Sequence, residues 1–354
     1  MNLPELKPLS DQPLISVLIV NYNYARFLPT AIESALGQTY QRFELVICDD
    51  GSSDDSRAVI SSYAEREPRI KTIFKANAGV AAALNDSFRA SSGEIITMLD
   101  ADDIFEKTKL ERLAEKLVSG GRVGMVLNRL KKVDSQGNEI GSIPQFGSFD
   151  RGELRERLLN SAAHWSVAPT SGISFRRECA ERVFPIPENQ FRTEADGYMC
   201  TIAPLFYAVD VIDEALTIYR VHSSNLTASS SIDVRFCERI MSAGERVFSV
   251  LQKTAAEHGW RVTQLDDNPT YCEMRLIRDY LQGASFAVNR RNLHALKSAA
   301  ARVQTADASK TKTKAALLGL AVMLPSALGT TIINNIYLPN STKRLATRFT
   351  RRFR

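Results

Sequence analysis

Two acidic clusters stand where a binding site is easily built. Asp49-Asp50 follows an apolar run at residues 43–48 (FELVIC), and Asp100-Ala101-Asp102-Asp103 follows another at residues 94–99 (EIITML). Each run has the length and apolar content of a strand buried on both faces, so the carboxylates fall at strand ends. In an open parallel sheet, ligands bind outside the carboxyl ends of the strands, at the switch in strand order. Carboxylates gathered there repel a phosphate. They can hold one through Mg2+ or Mn2+, which takes one or two carboxylates together with phosphate oxygens. A lone Asp-Asp at a strand end is ordinarily a turn or a helix cap. Two such clusters, at the same edge of neighbouring units, read instead as a site.

The elements that must carry these residues alternate. Residues 15–20 (ISVLIV) form a first strand, and a polar turn at 21–26 leads into a helix through Ala31, Ile32, Ala35 and Leu36. The strand at 43–48 is followed by a helix over about 55–65, capped by the Ser/Asp cluster. A strand at 70–74, an alanine-rich helix at 80–90 and the strand at 94–99 complete the series. Strand and helix alternating at this spacing predict βαβ units and a parallel sheet. Beyond them lie an amphipathic helix at 107–117 and a hairpin turning at Asp134–Asn138 between strands at 125–133 and 139–143. The pattern is mixed to about residue 225, and helical and polar from Ile232 onward.

The turn after the first strand excludes other nucleotide-binding chemistries. Asn21-Tyr22-Asn23-Tyr24 stands where a dinucleotide fold needs G-x-G-x-x-G, and no P-loop occurs. With 354 residues the chain is long enough for two domains. Its net charge of +5 is uneven, much of the excess lying in the last dozen residues. The basic residues follow no nucleic-acid reader motif, so nucleic acid is not expected as a partner. Five widely spaced cysteines without a C-x-x-C pair fit unpaired, mostly buried thiols in a reducing compartment. The first residues, MNLPELKPLSDQP, do not read as a signal peptide, and a cytoplasmic location is the expectation.

Taken in order, ISVLIVNYNYARFLPTAIESALGQTY, FELVICDDGSSDDS, ANAGVAAALNDSFRASSGEIITMLDADD, TEADGYM and YRVHSSNLT resemble family 2 glycosyltransferases of the GT-A fold. The resemblance covers residues 14–227. It implies an α/β fold, a GT-A Rossmann-like α/β/α sandwich with a mixed sheet, followed by a mainly α-helical C-terminal region. The activity it implies is inverting transfer of a sugar from a nucleoside-diphosphate sugar to an acceptor hydroxyl.

The resemblance also implies roles. Tyr22 matches an aromatic that stacks on the base, and Asp50 a carboxylate that receives the base N–H, which favours a UDP- or dTDP-sugar. Asn77 and Gly79 match the loop after the third strand, where glycine lets backbone approach the donor. Asp100, Asp102 and Asp103 match the D-x-D region, with Asp102 and Asp103 favoured for ribose and metal and Asp100 in support. His222 matches a position near the metal or diphosphate, and Arg220 one suited to the leaving phosphate. The catalytic base falls in Glu194-Ala195-Asp196, with Asp196 preferred and Glu194 second. Ala195 departs from the usual paired acids, and Leu84 stands where relatives often carry arginine.

Residues 315–342 form a run of 28 without a charge, with lysines before it and basic residues after it. Pro325, Gly329 and Asn334-Asn335 interrupt it. A buried helical pair, an in-plane or re-entrant anchor and a membrane span are the three readings, and the basic flanks favour peripheral contact over a span. The expected organisation is therefore a catalytic domain over 1–228, a helical region over 229–314 and an apolar, basic-tailed segment over 315–354. The acceptor expected is a carbohydrate or glycolipid. The alternatives are transfer to a polyprenyl phosphate and a non-catalytic sugar-nucleotide-binding module.

Overall fold

The computed structural model describes residues 3–134, 136–144, 147–222, 232–303 and 308–337. They divide into two compact units, one formed by residues 1–156 and 166–223, the other by 157–165 and 224–354. The boundary expected at 228 lies outside the described residues.

The first unit begins with the predicted alternation. Strands β1 (Ile15–Asn21), β2 (Phe43–Asp49), β3 (Ile70–Phe74) and β4 (Ile95–Asp100) are separated by helices α1 (Leu28–Leu36), α2 (Ser56–Ala64) and α3 (Val80–Ala90). β1 pairs in parallel with both β2 and β4, and β2 with β3. Strands β1, β2 and β4 are almost wholly buried because helices cover them, which is why they read as unbroken apolar runs. Helix α3 lies close to the sheet through Ala81, Ala82 and Ala83.

After β4 the sheet stops being parallel. A two-residue strand β5 (Ile104–Phe105) precedes α4 (Lys109–Leu117), β6 (Val123–Val133), β7 (Glu139–Ile143), α5 (Arg155–Asn160), a 3₁₀ turn at Thr170–Gly172, β8 (Ile173–Arg176), α6 (Arg177–Val183), α7 (Ala195–Phe206) and β9 (Ala208–Arg220). The order across the sheet is β3-β2-β1-β4-β8-β6-β9-β5, with β7 paired to β6. β8 runs antiparallel to both β4 and β6. The mixed sheet is thus present, and the region that reads as mixed in sequence supplies its second half. β8 and β9 are not legible there, because β8 is four residues long and β9 carries charges along its exposed positions.

Each helix hides an apolar stripe. Leu110, Leu113, Ala114 and Leu117 of α4 join Ile15, Ile19, Leu28, Ile32 and Leu99 in one core, each fully buried leucine or isoleucine contributing about 1.5–3 kcal/mol. Lys109 shares that buried face.

The second unit is helical: α8 (Val234–Glu257), α9 (Pro269–Leu281), α10 (Phe286–Arg302), α11 (Ala308–Ala321) and α12 (Ser326–Tyr337). Its core joins Met241, Leu276, Ile277, Leu296 and Leu318. Helix α11 runs through 314, so no element ends at that expected division. The uncharged run is broken at Pro325 into two short helices. Among the described residues, no helix is long and apolar enough to cross a membrane. All five cysteines are free and buried.

Candidate active site

The order β3-β2-β1-β4 followed by β8 places the ends of β1, β2 and β4 side by side. Val20 is level with Asp100, and Asn21 with Asp49. The loops leaving those ends are laced together by hydrogen bonds. Asn21 is fully buried, and its Nδ2 donates to Asp49 Oδ1 at 2.7 Å and to Ser52 Oγ at 3.1 Å. The Asn23 N–H donates to Ser52 Oγ at 2.8 Å, and Asn23 takes the left-handed conformation at φ 60° that asparagine tolerates. Asp49 accepts from Asn21 and Ser52, so the first carboxylate of the pair builds the loop. Tyr22, at 48% exposure, lies outside this lacing and is open to solvent.

Asp50 is 2% exposed and joins this loop to the next one. Its two carboxylate oxygens accept the backbone N–H groups of Ala78 (2.9 Å) and Gly79 (2.7 Å). A base N–H would have to share one of these oxygens through its second lone pair. Asn77 lies exposed on the same loop, and Gly79 is buried at φ 96°.

The Asp100–Asp103 turn is built around backbone bonds. The Asp100 N–H donates to Ser171 Oγ at 2.9 Å, and the Asp103 N–H to the Asp100 carbonyl at 3.0 Å. Asp102 Oδ2 lies 2.9 Å from His222 Nε2. Asp103 Oδ1 accepts the Arg220 N–H at 3.1 Å, and its buried Oδ2 has no hydrogen-bond partner. His222 stacks on Phe27 with ring centroids 4.5 Å apart, and the Arg220 guanidinium lies 5.0 Å from the same ring. The end of β9 thereby meets both the acidic turn and the start of α1.

Under the turn lies Lys109, fully buried, its ammonium donating to the Ser171 carbonyl at 2.6 Å and to Thr217 Oγ1 at 3.1 Å. Burial pushes its pKa well below the usual lysine value, against the opposing pull of Asp103. Burial and then neighbouring carboxylates hold Asp100 and Asp103 above the ordinary aspartate range. For Asp100 those neighbours are Asp102 and Asp196. The fold therefore brings Asp196 into electrostatic reach of a residue 96 positions away in the chain.

Asp196 sits in the first turn of α7, with Glu194 as the residue before the helix. Its Oδ1 accepts the Gly197 N–H at 2.9 Å, and burial raises its pKa, with Glu194 adding to the rise. The segment leading to α7 is tied to α3. Asn85 donates to the Ile186 carbonyl and accepts from the Ile186 N–H, while the Val80 N–H donates to the Arg192 carbonyl at 2.8 Å. The Arg192 guanidinium donates to Asn77 Oδ1.

Could this turn hold a cation? Its donors are the hard oxygens that Mg2+ and Mn2+ select, and Asp103 Oδ2 is a buried acceptor left over. Among the described residues no three His, Cys, Asp or Glu side chains are grouped to hold an ion unaided. That donor set fits an ion whose shell is completed by a ligand's own oxygens.

The sequence of residues 16–184 matches the model of glycosyl transferase family 2. That stretch of the chain belongs to the family. The chain is 40% identical over 212 residues to an uncharacterised glycosyltransferase of Nostoc sp., a match covering 60% of this chain and 66% of the relative. It is 30% identical over 155 residues to the chondroitin synthase of Escherichia coli, covering 44% of this chain and 23% of that protein. The chain thus spans just under two thirds of the first relative and about a quarter of the second. In fold it is similar to the mannosyltransferase PcManGT of Pyrobaculum calidifontis, solved with GDP-Man and Mn2+. The TM-score is 0.52 at 20% identity, over 94% of this chain and 87% of that one. That likeness supports the GT-A fold of the chain.

Three residues of the site escape a reading of motifs. Phe27 lies under His222 and Arg220, Arg192 clasps the Asn77–Gly79 loop, and Lys109 props the acidic turn. Only Lys109 leaves a signal in sequence, as a lysine on the apolar stripe of an amphipathic helix.

Proposed function

We propose that this glycosyltransferase moves a sugar from a nucleoside-diphosphate sugar to the hydroxyl of a carbohydrate or glycolipid acceptor, with inversion. The chondroitin synthase relative supports a role in polysaccharide assembly. The observation that carries the reading is the convergence of Asp100, Asp102 and Asp103 at the β1–β4 switch point with Asp196 in electrostatic reach.

Tyr22 stacks on the base, and Asp50 orders the Asn77–Gly79 loop while its remaining lone pairs face an imide N–H. This favours uracil or thymine in the donor. Asp102 and Asp103, with His222 beside Asp102, would hold Mn2+ or Mg2+, and Asp100 supports the turn. When bound, the ion neutralises charge on the diphosphate. Arg220, on the Phe27 ring, adds a fixed positive charge for the departing phosphate.

Asp196 takes the proton of the acceptor hydroxyl as its oxygen attacks the anomeric carbon, and the bond to the diphosphate breaks in the same displacement. Burial raises its pKa, which makes its carboxylate a stronger base than an exposed aspartate. Glu194 is the second candidate. The test is a panel of nucleotide sugars scored for acceptor-dependent release of nucleoside diphosphate, with and without divalent metal. Absence of release from every donor, by protein that binds nucleotide, would leave the non-catalytic reading.

A further inference from the structure

Among the described residues, more than half of the exposed large apolar side chains are gathered in one place. Of nine among the described residues, five fall within residues 317–328: Leu317, Leu320, Met323, Leu324 and Leu328. They occupy the end of α11, the turn at Pro325 and the first turn of α12. Leu320 is 65% exposed and Leu328 58%.

The same helices have a buried side. Ala315, Leu318, Ala321 and Ile333 pack into the core of the helical unit. The turn between them is fixed. Tyr280 Oη donates to the Leu324 carbonyl at 2.9 Å, and Gly329 lies so close to Tyr280 and the Ala321 carbonyl that no side chain fits. The elbow is therefore apolar on both faces, and one of them is held outward by a built turn.

Charge indicates what that face meets. From residue 308 to residue 354 the chain has nine lysines and arginines and no carboxylate. Lys310 and Lys312 are exposed at the start of α11. Apolar side chains beside an excess of cations match a surface with negative headgroups over hydrocarbon. A second copy of this elbow would bring like charges together.

We propose that the elbow at 317–328 inserts shallowly into an anionic lipid surface, with Lys310 and Lys312 on the headgroups. Insertion is independent of catalysis, so its test reads binding alone.

The full-length protein is sedimented with vesicles of phosphatidylcholine, or of phosphatidylcholine with phosphatidylglycerol. It should bind the anionic vesicles at least about tenfold more tightly than the neutral ones, and less tightly as salt rises. L320E/L328E should lower that binding at least about tenfold, and K310E/K312E should lower it toward the neutral level. L317S/M323S gives the same readout should the first pair melt early. The proposal is overturned if wild type ignores anionic vesicles, or if both apolar pairs bind them as wild type does. It is also overturned if L320E/L328E abolishes self-association while wild type binds no vesicle, since the elbow would then join two copies.

Discussion

Gly79 lies against the backbone of Arg192, where no side chain has room. A β-carbon at Gly79 would meet the Arg192 side chain and come within 2.7 Å of its carbonyl oxygen. The loop expected to touch the donor is therefore packed on the stretch of chain that leads to Glu194 and Asp196. Gly79→Ala adds a clash to a φ of 96° and should cost about 1–3 kcal/mol. Thermal melting checks the stability, and calorimetry with nucleotide should show weakened binding. Unchanged melting and binding would mean that the loop yields at no cost.

The acidic turn makes a second prediction. Asp102→Asn or Asp103→Asn should abolish turnover, and EDTA should do so reversibly in the wild type, with Mn2+ or Mg2+ restoring it. Full activity in EDTA would remove the metal from the reading.

Charge crowding makes a third. Asp100 is half-buried, and desolvation and then the charges of Asp102 and Asp196 raise its pKa, so the fold bears the cost of its ionised form. Asp100→Asn should raise the melting temperature of the metal-free protein at neutral pH while lowering activity. A lower melting temperature would show that its bond network outweighs the repulsion.

The nucleotide can be tested directly. With metal present, UDP or dTDP should raise the melting temperature more than CDP does, because Asp50 can accept from the imide N–H of uracil or thymine and cytosine N3 is itself an acceptor. A clear preference for CDP would limit Asp50 to the amides of Ala78 and Gly79.

Asp196 separates binding from chemistry. Asp196→Asn should leave donor affinity nearly unchanged and lower kcat by about 10²–10⁴-fold, whereas Glu194→Gln should cost much less. The reverse outcome would move the base two residues. Burial raises the pKa of Asp196, so the folded state favours its protonated form. Its contribution to stability is therefore full below the unfolded aspartate value and is lost as pH rises through the folded one. Activity should run the opposite way, increasing with pH through that same raised value. Asp196→Asn should flatten both dependences in that window.

Much of the parallel half of the sheet is legible in sequence because its strands are buried on both faces and end in polar turns. The runs at 15–20, 43–48 and 94–99 lie within one residue of β1, β2 and β4. β8 and β9 escape because one is short and the other only partly covered, so neither has a clean period. The acidic clusters announce themselves, but the division of labour within them does not. Asp49 and Asp50 look alike in the chain. The fold assigns Asp49 to Asn21 and Ser52, and Asp50 to the amides of Ala78 and Gly79. Arg192 is invisible for a related reason. Its partners lie more than a hundred residues earlier, and no local pattern marks that pairing.

The lacing of Asn21, Asp49 and Ser52 bears on how fast a nucleoside can enter. These groups bond one another within the protein, with Asn21 Oδ1 the one buried acceptor left over, so the floor they form does not wait for an occupant to take shape. Arrival is then limited by diffusion and orientation rather than by folding of the loop, and little ordering entropy is spent there on capture. A rigid nucleoside mimic shaped to that floor should associate about as quickly as the natural donor. Differences in affinity among such mimics should appear mainly in how slowly they leave.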